Sequence, residues 1–531
     1  MFVENIIIGS GPAGIQLGYF YKKNNIPYII LERTDNAGSF FDKFPHTKEL
    51  ISINKKYTGN TNKDFNLRHD WNSLLNDEDL CFTNYSDDYY PKSSDLHKYL
   101  NDFKNNNDIN VEYNTDVKII NKLENKYEII IKNKDIIYTC NNLIIATGLS
   151  LSNMPENITL RVIDNINHYS DFSKNYFLDK ENLNKYKNKK LLILGSGNSS
   201  YELANTLNPY CSNIIILGSL KEFAISSHYV GDIRSVYMKF LDTFYLKSLN
   251  GIDKFKKNKY IIEQNNNESD INYKKYRLCE HSLSMASYYT GELEYFDEII
   301  FCTGWKFDSS IFNFNVDKVI NDKLPKINYN YESSNNKNLF FIGSLMQSLD
   351  YKKSSGGFIH GFRYLIKLFM QLNNYTVFNK NIFNYEYNFK CYDDIAKHIF
   401  NRINNASSLY QLHSVLLDMF YYNPSTKEII YYNDITLNSI VNHKEFDNIN
   451  TVIHTIQLKY GKHNHDLNTL GDFNKNDPVF LHLELDIYYK NKSNIDKIDT
   501  IIFKEDLISN FTEEMYYNKI RRTLQYCNLI I

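Results

Sequence analysis

The sequence predicts an α/β fold of two strand–helix–strand units, the second inserted into the first, followed by a small α+β region. Glycine-rich turns at residues 9–14 and 195–200, each between an apolar strand and small helix-forming residues, indicate the two units. Apolar strands at residues 141–150 and 296–308 bracket the second unit and so place it within the first. The predicted domains are residues 1–150 with 303–385, residues 151–302, and residues 386–531.

The first turn has the spacing of a nucleotide-binding loop, G-x-G-x-x-G. It follows a strand that is apolar on both faces, as a buried strand of a parallel sheet requires. In such a loop Gly9 forms the tight turn, Gly11 lets the backbone approach a pyrophosphate, and Gly14 lets the helix pack closely on the strand. The N–H groups at the helix start supply a site for an anion. The predicted contacts of this loop are Gly9, Gly11, Pro12, Ala13 and Gly14.

An acidic residue follows the next predicted strand. Residues 28–31 are apolar and are followed by Glu32 and Arg33, and a carboxylate here accepts hydrogen bonds from an adenosine ribose. The segment NAGSFF, residues 36–41, then stands where flavoprotein monooxygenases carry a glycine turn beside the flavin. We therefore favour FAD for the first loop, although this segment taken alone is better interpreted as an ordinary glycine loop.

The second turn has Gly195 and Gly197, with Ser200 where a third glycine would stand. Serine is small enough for the same close packing. The strand after this loop ends at Gly218, without an acidic residue to bind a free ribose 2′-hydroxyl. Lys221 lies just beyond and could face a 2′-phosphate, so NADPH is favoured over NADH.

The bracketing strands explain why one chain carries two such loops. In two-nucleotide flavoproteins, strands of this kind, with a glycine such as Gly148 at their end, mark the passages between the FAD domain and the pyridine-nucleotide domain. We therefore predict two Rossmann-like dinucleotide-binding domains, one for FAD and one for the nicotinamide donor that reduces it.

Composition excludes several other classes of protein. The 60 basic residues nearly cancel the 62 acidic ones, so neither nucleic acid nor an anionic membrane is an expected partner. Seven cysteines without C-x-x-C indicate reduced thiols, and no apolar run approaches the roughly 18 residues of a membrane span. No signal peptide or retention signal is visible, which favours the cytoplasm. Four C-terminal histidines lack the spacing of a metal site, and we expect none: His454, His463, His465 and His482.

Longer tracts resemble a known family. These tracts are LISINKKYTGNTNKDFNLRHDWNSLL (residues 50–75), HYVGDIRS (228–235), GWKFDSSIF (304–312), SLDYKKSSGGFIHGFRYLI (348–366) and NRINNASSLYQLHSVLLDMF (401–420). They are similar to the FAD-dependent oxidoreductases associated with degradation in the endoplasmic reticulum (ER). More distantly, GSGNSSYELA resembles the flavin-containing monooxygenases. The resemblance implies an electron acceptor that is a protein or a small molecule, and the ER lumen as the alternative compartment.

The resemblance also implies roles for particular residues. Gly38, Ser39 and Phe40 would line the flavin, and Asn54 would face it as a catalytic residue. The nicotinamide cofactor's pyrophosphate would lie on four residues, Gly195, Gly197, Asn198 and Ser199.

A second flavin-facing element is predicted at residues 341–364. A strand ends at Gly343, and Gly356 and Gly357 precede a helix whose positive dipole end would stabilise negative charge on the reduced flavin. His360, in the first turn, is a candidate proton relay, with packing as the alternative. Most related flavoproteins have aspartate after the equivalent of Gly343, where this chain has Ser344.

Other features leave alternatives open. Arg68, His69 and Asp70 either line a substrate pocket or hold a loop in place. His168 stands where monooxygenases carry F-x-G-x-x-x-H, but the Phe and Gly of that signature are absent. A reductase is favoured, a monooxygenase comes second, and a non-catalytic flavin-binding adaptor in protein quality control comes third.

The C-terminal region changes pattern from helix to strand. Helical periodicity over residues 392–420 gives way to alternating segments at residues 451–461 and 479–490. We predict a small α+β region for substrate or partner binding.

Overall fold

The structure of the protein is a computed structural model. It describes residues 1–156, 158–161, 166–218, 252–254, 259–264, 275–281, 294–351, 353–373, 386–459, 482–492, 494–503 and 514–526. Within these ranges, no helix combines the length and apolar character needed to cross a membrane.

A parallel sheet forms the first domain. Its strands lie in the order β7 (Asn142–Ile145), β1 (Asn5–Ile8), β2 (Tyr28–Leu31) and β3 (Val111–Glu112), and a strand from much later in the chain, Leu339–Phe341, pairs with β7. All four residues of β1 are buried because the sheet is covered on both faces. The elements are β1 (Asn5–Ile8), α1 (Pro12–Lys23), β2 (Tyr28–Leu31), α2 (Ser39–Lys43), α3 (Lys63–Asn66), α4 (Ser93–Asn106), β3 (Val111–Glu112), β4 (Val117–Lys122), β5 (Tyr127–Ile131), β6 (Ile137–Cys140), β7 (Asn142–Ile145) and β8 (Leu151–Ser152).

A second parallel sheet lies between these two parts of the chain. The elements are β9 (Ile158–Arg161), β10 (Asn167–His168), α5 (Lys180–Asn184), β11 (Lys190–Leu194), α6 (Asn198–Leu207), β12 (Asn213–Gly218), β13 (Ile252–Lys254), β14 (Lys259–Gln264), β15 (Tyr276–His281), β16 (Glu294–Phe296) and β17 (Glu298–Phe301). The sheet has the order β10-β17-β11-β12-β13, and a four-stranded mixed sheet, β16-β15-β14-β9, accompanies it. The fold is therefore α/β with two dinucleotide-binding domains, as predicted. The exact domain limits stay a prediction, which the distribution of strands supports.

The last part of the chain returns to the first sheet and then forms a third layer. The elements are β18 (Trp305–Lys306), β19 (Lys318–Val319), β20 (Leu324–Pro325), β21 (Leu339–Phe341), α7 (Ile359–Asn373), β22 (Glu386–Phe389), α8 (Tyr392–Asn405), α9 (Ser407–Gln411), β23 (Leu417–Asn423), β24 (Glu428–Ile435), α10 (Leu437–Asn442), β25 (Asn450–Lys459), β26 (His482–Asn491), β27 (Asn494–Phe503) and α11 (Glu514–Tyr526). Strand β18 pairs antiparallel with β8, so the two passages between the domains lie side by side.

The C-terminal region is α+β, as predicted, but one segment differs. Strands β22, β24, β23, β25, β26 and β27 form an antiparallel sheet in that order. The helical periodicity predicted a helix up to residue 420, whereas the helices end at Gln411 and residues 417–423 form β23. Strand β23 pairs with β24 on one side and β25 on the other, and this pairing outweighs the local helical pattern.

The C-terminal region shares its core with the first domain. One continuous cluster of buried apolar side chains includes Ile6 of β1, Leu365 of α7 and Met419 of β23. The region is therefore packed against the first domain through the helix predicted to face the flavin.

Candidate functional site

The two outer glycines of the first loop are required by the protein's own packing. Gly9 has φ +102°, in the region that favours glycine. A Cβ on Gly14 would clash with the carbonyl oxygen of Gly9. These two positions make the turn and bring α1 close to the sheet, as the spacing predicts.

Gly11 has no such reason to be glycine. Its φ of -68° and ψ of -178° suit any residue, and no atom beyond its own segment of the chain lies within 4 Å of the position that a Cβ would take. The space beside Gly11 is open within the protein, which is what the close approach of a ligand requires.

The second loop repeats this arrangement. Gly195 has φ +114°, and a Cβ there would clash with the carbonyl oxygen of Cys302. Gly197 has φ -92° and ψ -175°, again with nothing within 4 Å of a Cβ. Ser200 is fully buried where a third glycine was expected, so its small side chain fits the close packing.

Three helix N-termini lie at one cavity. The helices are α1, α6 and α7, and none has an acidic residue in its first turn. Neither α1 nor α6 has a side-chain cap, so their first N–H groups are available to an anion. The arrangement favours negatively charged groups, such as phosphates, at the N-terminus of each of these helices.

The cavity has a volume of about 520 Å³ and lies where the two loops face each other. Ten of the predicted site residues line it: Gly11, Pro12, Ala13, Phe40, Gly148, Asn198, Ser199, Gly343, Gly357 and His360. The structure therefore brings together residues that span almost 350 positions of the sequence.

Glu32 lies behind the first loop, at the end of β2. Its buried carboxylate accepts hydrogen bonds from the N–H (2.8 Å) and hydroxyl (2.9 Å) of Ser10 and from the N–H (3.0 Å) and hydroxyl (2.8 Å) of Thr34. The two hydroxyl donors can rotate away, which would free acceptor positions for a ribose. Arg33 beside it is exposed.

The turn at Gly38 is tied to the first loop. Its N–H donates to the carbonyl of Ser10 (3.0 Å), and its φ of +67° starts α2 at Ser39. Phe40 of α2 projects into the cavity wall while remaining 47% exposed. Its ring contacts Trp305, with centroids 6.2 Å apart.

The segment before α7 is closely packed around its glycines. Gly343 has φ +74°, and Ser344 beside it lines the cavity near Gly148. A Cβ on Gly356 would meet the Asp350 carboxylate at 2.6 Å. These contacts fix the position of the first turn of α7 at the cavity.

His360 stacks between two aromatic rings. Its ring lies 4.2 Å from that of Trp71, at 24°, and 5.6 Å from that of Phe358, at 10°. The stack supports the packing alternative for His360 while leaving the ring at the cavity wall.

Asn54 does not lie on the wall of this cavity. It is buried, and its amide nitrogen donates to the carbonyls of Ser86 (2.8 Å) and Asp88 (3.1 Å). The segment contributes Leu50, Ile51 and Ser52 to the wall instead. That Asn54 faces the flavin stays a prediction, and in the structure its neighbours in the same segment, rather than Asn54 itself, line the cavity.

The polar cluster beside Trp71 holds a loop in place. The Arg68 guanidinium donates to the carbonyls of Ile403 (2.9 Å) and Ala406 (3.2 Å) in the C-terminal region. The side-chain amide of Gln411 donates to the backbone carbonyl of Arg68 (2.6 Å). The backbone carbonyl of Gln411 accepts a hydrogen bond from the N–H of Ser355 (3.2 Å). The C-terminal region thus braces both segments that meet in the Trp71–His360 stack.

Sequence reasoning missed several cavity residues, all held by contacts distant in sequence. They are Phe44, Trp71, Tyr169, Glu202 and Trp305. Burial raises the pKa of Glu202 to about 7, with the charge of Glu49 acting in the same direction and a hydrogen bond from Tyr169 opposing it. The spacing of Glu202, one turn after the second loop, was the signal that could have located it.

Several predicted residues lie elsewhere. His168 is buried, and its Nδ1 lies 2.8 Å from the Ser170 hydroxyl, while Val162 and Asp164 fall outside the described residues. Lys221, His463 and His465 also fall outside them. His454 is buried against Phe420, and His482 lies 3.1 Å from Glu484.

Comparisons with known proteins agree with this arrangement. Residues 6–343 match the model of the pyridine nucleotide-disulphide oxidoreductase family, and the chain belongs to that family.

Two curated relatives carry one name. The chain is 34% identical to FAD-dependent oxidoreductase domain-containing protein 2 of Mus musculus over 441 residues, which cover 78% of this chain and 63% of that protein. The protein of the same name from Danio rerio is 33% identical over 461 residues, or 78% of this chain and 64% of that one. The chain thus spans less than two thirds of the length of these relatives.

A solved structure shows the same fold. The flavin-containing monooxygenase from Stenotrophomonas maltophilia aligns with a TM-score of 0.50 and 16% identity, covering 71% of this chain and 99% of that one.

Proposed function

We propose that the chain is an FAD-dependent oxidoreductase that takes a hydride from NADPH and passes the electrons to a protein or small-molecule acceptor. The observation that carries this proposal is the open space beside Gly11 and Gly197, two glycines that the protein's own conformation does not require. The helices that follow these glycines line the same cavity. Two dinucleotides held in this way would meet there, as direct hydride transfer requires.

The first loop fits FAD. The N–H groups of Gly11 and Ala13 would bind the pyrophosphate, since Pro12 between them has none, and the Glu32 carboxylate would bind the ribose. FAD, when bound, supplies a ring that accepts the hydride and passes electrons on. The N-terminal end of α7, at Ile359 and His360, would stabilise negative charge on that ring.

The second loop fits the nicotinamide donor. Asn198 and Ser199 begin α6 at the cavity, where its N–H groups would bind a pyrophosphate. NADPH is favoured over NADH because β12 ends at Gly218, which packs against Ser196 and offers no carboxylate to the ribose. The test is the rate of anaerobic flavin bleaching. NADPH should act faster than NADH, and Lys221→Ala should remove the difference; equal rates in the unaltered protein would contradict it.

The acceptor takes electrons without a cysteine relay. No cysteine stands among the described residues that line the cavity, and burial raises the pKa of the Cys302 thiol behind the second loop. A thiolate pair beside the flavin is therefore not part of the proposal. A place in ER-associated degradation rests on the family resemblance alone.

The experiment separates a reductase from a monooxygenase. Purified protein should carry about one FAD per chain, because only the first loop has an acidic residue after its second strand. With oxygen as sole acceptor, NADPH consumed should appear stoichiometrically as hydrogen peroxide. Oxygenation of an added amine or sulfide, with peroxide falling short of the NADPH consumed, would instead support the monooxygenase. Yellow protein that binds FAD but does not oxidise NADPH would support the flavin-binding adaptor.

A further inference from the structure

Glu202 is a carboxyl group in the wall of the shared cavity. It lies on α6, one helical turn after the second loop, and is 8% exposed. The same wall contains Gly11 and Phe40 from the first domain. Glu202 therefore lies on the wall of the cavity in which the two nucleotides of the proposed function would meet.

Its surroundings are mostly aromatic and carry few charges. Trp305 and Phe44 line the cavity with it, their rings 5.1 Å apart. Tyr169 packs on Phe44, with ring centroids 5.9 Å apart, and hydrogen-bonds to Glu202. The carboxyl group is thus in a poorly solvated site, where a positive charge nearby has a large effect on it.

The titratable groups that face Glu202 come from three other segments. They are the hydroxyl of Tyr169, the carboxylate of Glu49 and the thiol of Cys302. The hydroxyl of Tyr169 also accepts the backbone N–H of His46 (2.8 Å). The first two shift the pKa of Glu202 in opposite directions: the hydrogen bond from Tyr169 favours the carboxylate and lowers the pKa, whereas the charge of Glu49 disfavours it and raises the pKa.

We propose that Glu202 distinguishes the redox state of the nicotinamide ring, binding the oxidised, positively charged ring in preference to the reduced, neutral one. This inference rests on the proposed function. The hydride that leaves the dihydronicotinamide ring takes two electrons with it, so the ring gains one positive charge. An ionised Glu202 stabilises that charge, and a neutral Glu202 does not.

The preference depends on pH with a defined sign. The pKa of Glu202 is about 7 in the free protein. A cation held near it lowers that pKa, so the affinity for oxidised nucleotide rises as pH rises through about 7. With a shift of about one unit, affinity should rise about fivefold between pH 6 and pH 8.5.

The test measures binding to the oxidised, FAD-loaded protein by calorimetry. The ligands are NADP⁺ and 1,4,5,6-tetrahydro-NADP, whose ring is neutral and cannot donate a hydride. Both ligands carry the same phosphates, so the ratio of their dissociation constants reports the effect of the charge on the ring. The ratio should change about fivefold in the unaltered protein and remain constant in Glu202→Gln.

Two further variants test the assignment through the midpoint of this pH dependence. Tyr169→Phe should move the midpoint to higher pH, because it removes the hydrogen bond that favours the carboxylate. Glu49→Gln, an exposed and isosteric change, should move it to lower pH. A constant ratio in the unaltered protein, or a pH dependence that survives in Glu202→Gln, overturns the inference and leaves the proposed function standing. Failure of both nucleotides to bind at any pH overturns both.

Discussion

Replacing Gly11 with alanine should separate FAD binding from folding. The backbone at Gly11 suits alanine, and the new methyl group meets no protein atom within 4 Å beyond its own segment of the chain. Alanine lowers the entropy of the unfolded chain but is a poorer helix N-cap than glycine, and the two effects nearly cancel. The apoprotein's free energy of unfolding should therefore change by less than about 1 kcal/mol.

The same methyl group lies where the pyrophosphate must approach. Hydrogen bonds to a charged group contribute about 1.5–3 kcal/mol each, so displacement from two N–H groups costs about 3 kcal/mol or more. FAD affinity should fall more than about 100-fold. The assay is flavin fluorescence titration of the apoprotein, alongside urea unfolding without FAD.

Matched variants control this result. Gly197→Ala, at the equivalent point of the second loop, should keep its FAD but lose reduction by NADPH. Gly14→Ala should destabilise the apoprotein itself, because its Cβ clashes with the Gly9 carbonyl. Full FAD affinity in Gly11→Ala would refute the assignment of the first loop.

Two other predictions concern the frame of the cavity. Arg363 is fully buried and donates to the carbonyls of Leu67 (2.7 Å), Asp70 (3.1 Å) and Ser73 (2.7 Å). Arg363→Met should therefore lower the free energy of unfolding by about 3 kcal/mol or more and weaken FAD binding. Denaturant titration and FAD retention measure the two effects, and unchanged stability would contradict the prediction. Burial raises the pKa of Asp350 to about 6, so its ionisation opposes folding as pH rises from about 4 to 6. Asp350→Asn should therefore gain about 3 kcal/mol above pH 6 and nothing below pH 4. Thermal unfolding measures this gain in stability. An equal gain above pH 6 and below pH 4 would show that the ionisation of Asp350 is not its cause.

The parts of the site that follow local rules were predictable from sequence. The turn at Gly9, the close packing at Gly14 and the carboxylate of Glu32 all follow from a strand, a glycine spacing and a second strand. The second loop followed in the same way, with Ser200 in place of a glycine. Such features depend on residues close together in the chain, so spacing alone locates them.

The remainder depends on tertiary contacts that spacing does not encode. Trp71 and His360 are separated by almost 300 positions yet stack at 4.2 Å, because Arg363 and Gln411 hold the two segments together. Asn54 shows the opposite case, since its segment reaches the cavity but its side chain binds backbone carbonyls instead. The shift of residues 417–423 from predicted helix to β23 has the same origin, because pairing with two distant strands decided it.

The central claim is that two dinucleotides meet in one cavity and exchange a hydride directly. The most direct measurement is anaerobic, single-turnover bleaching of bound FAD by NADPH deuterated at either of the two positions on C4 of the nicotinamide. A fixed cavity between the loops presents one face of the ring, so one labelled form should bleach the flavin more slowly than unlabelled NADPH and the other should not. Absence of bleaching, or equal slowing by both labelled forms, would contradict the account.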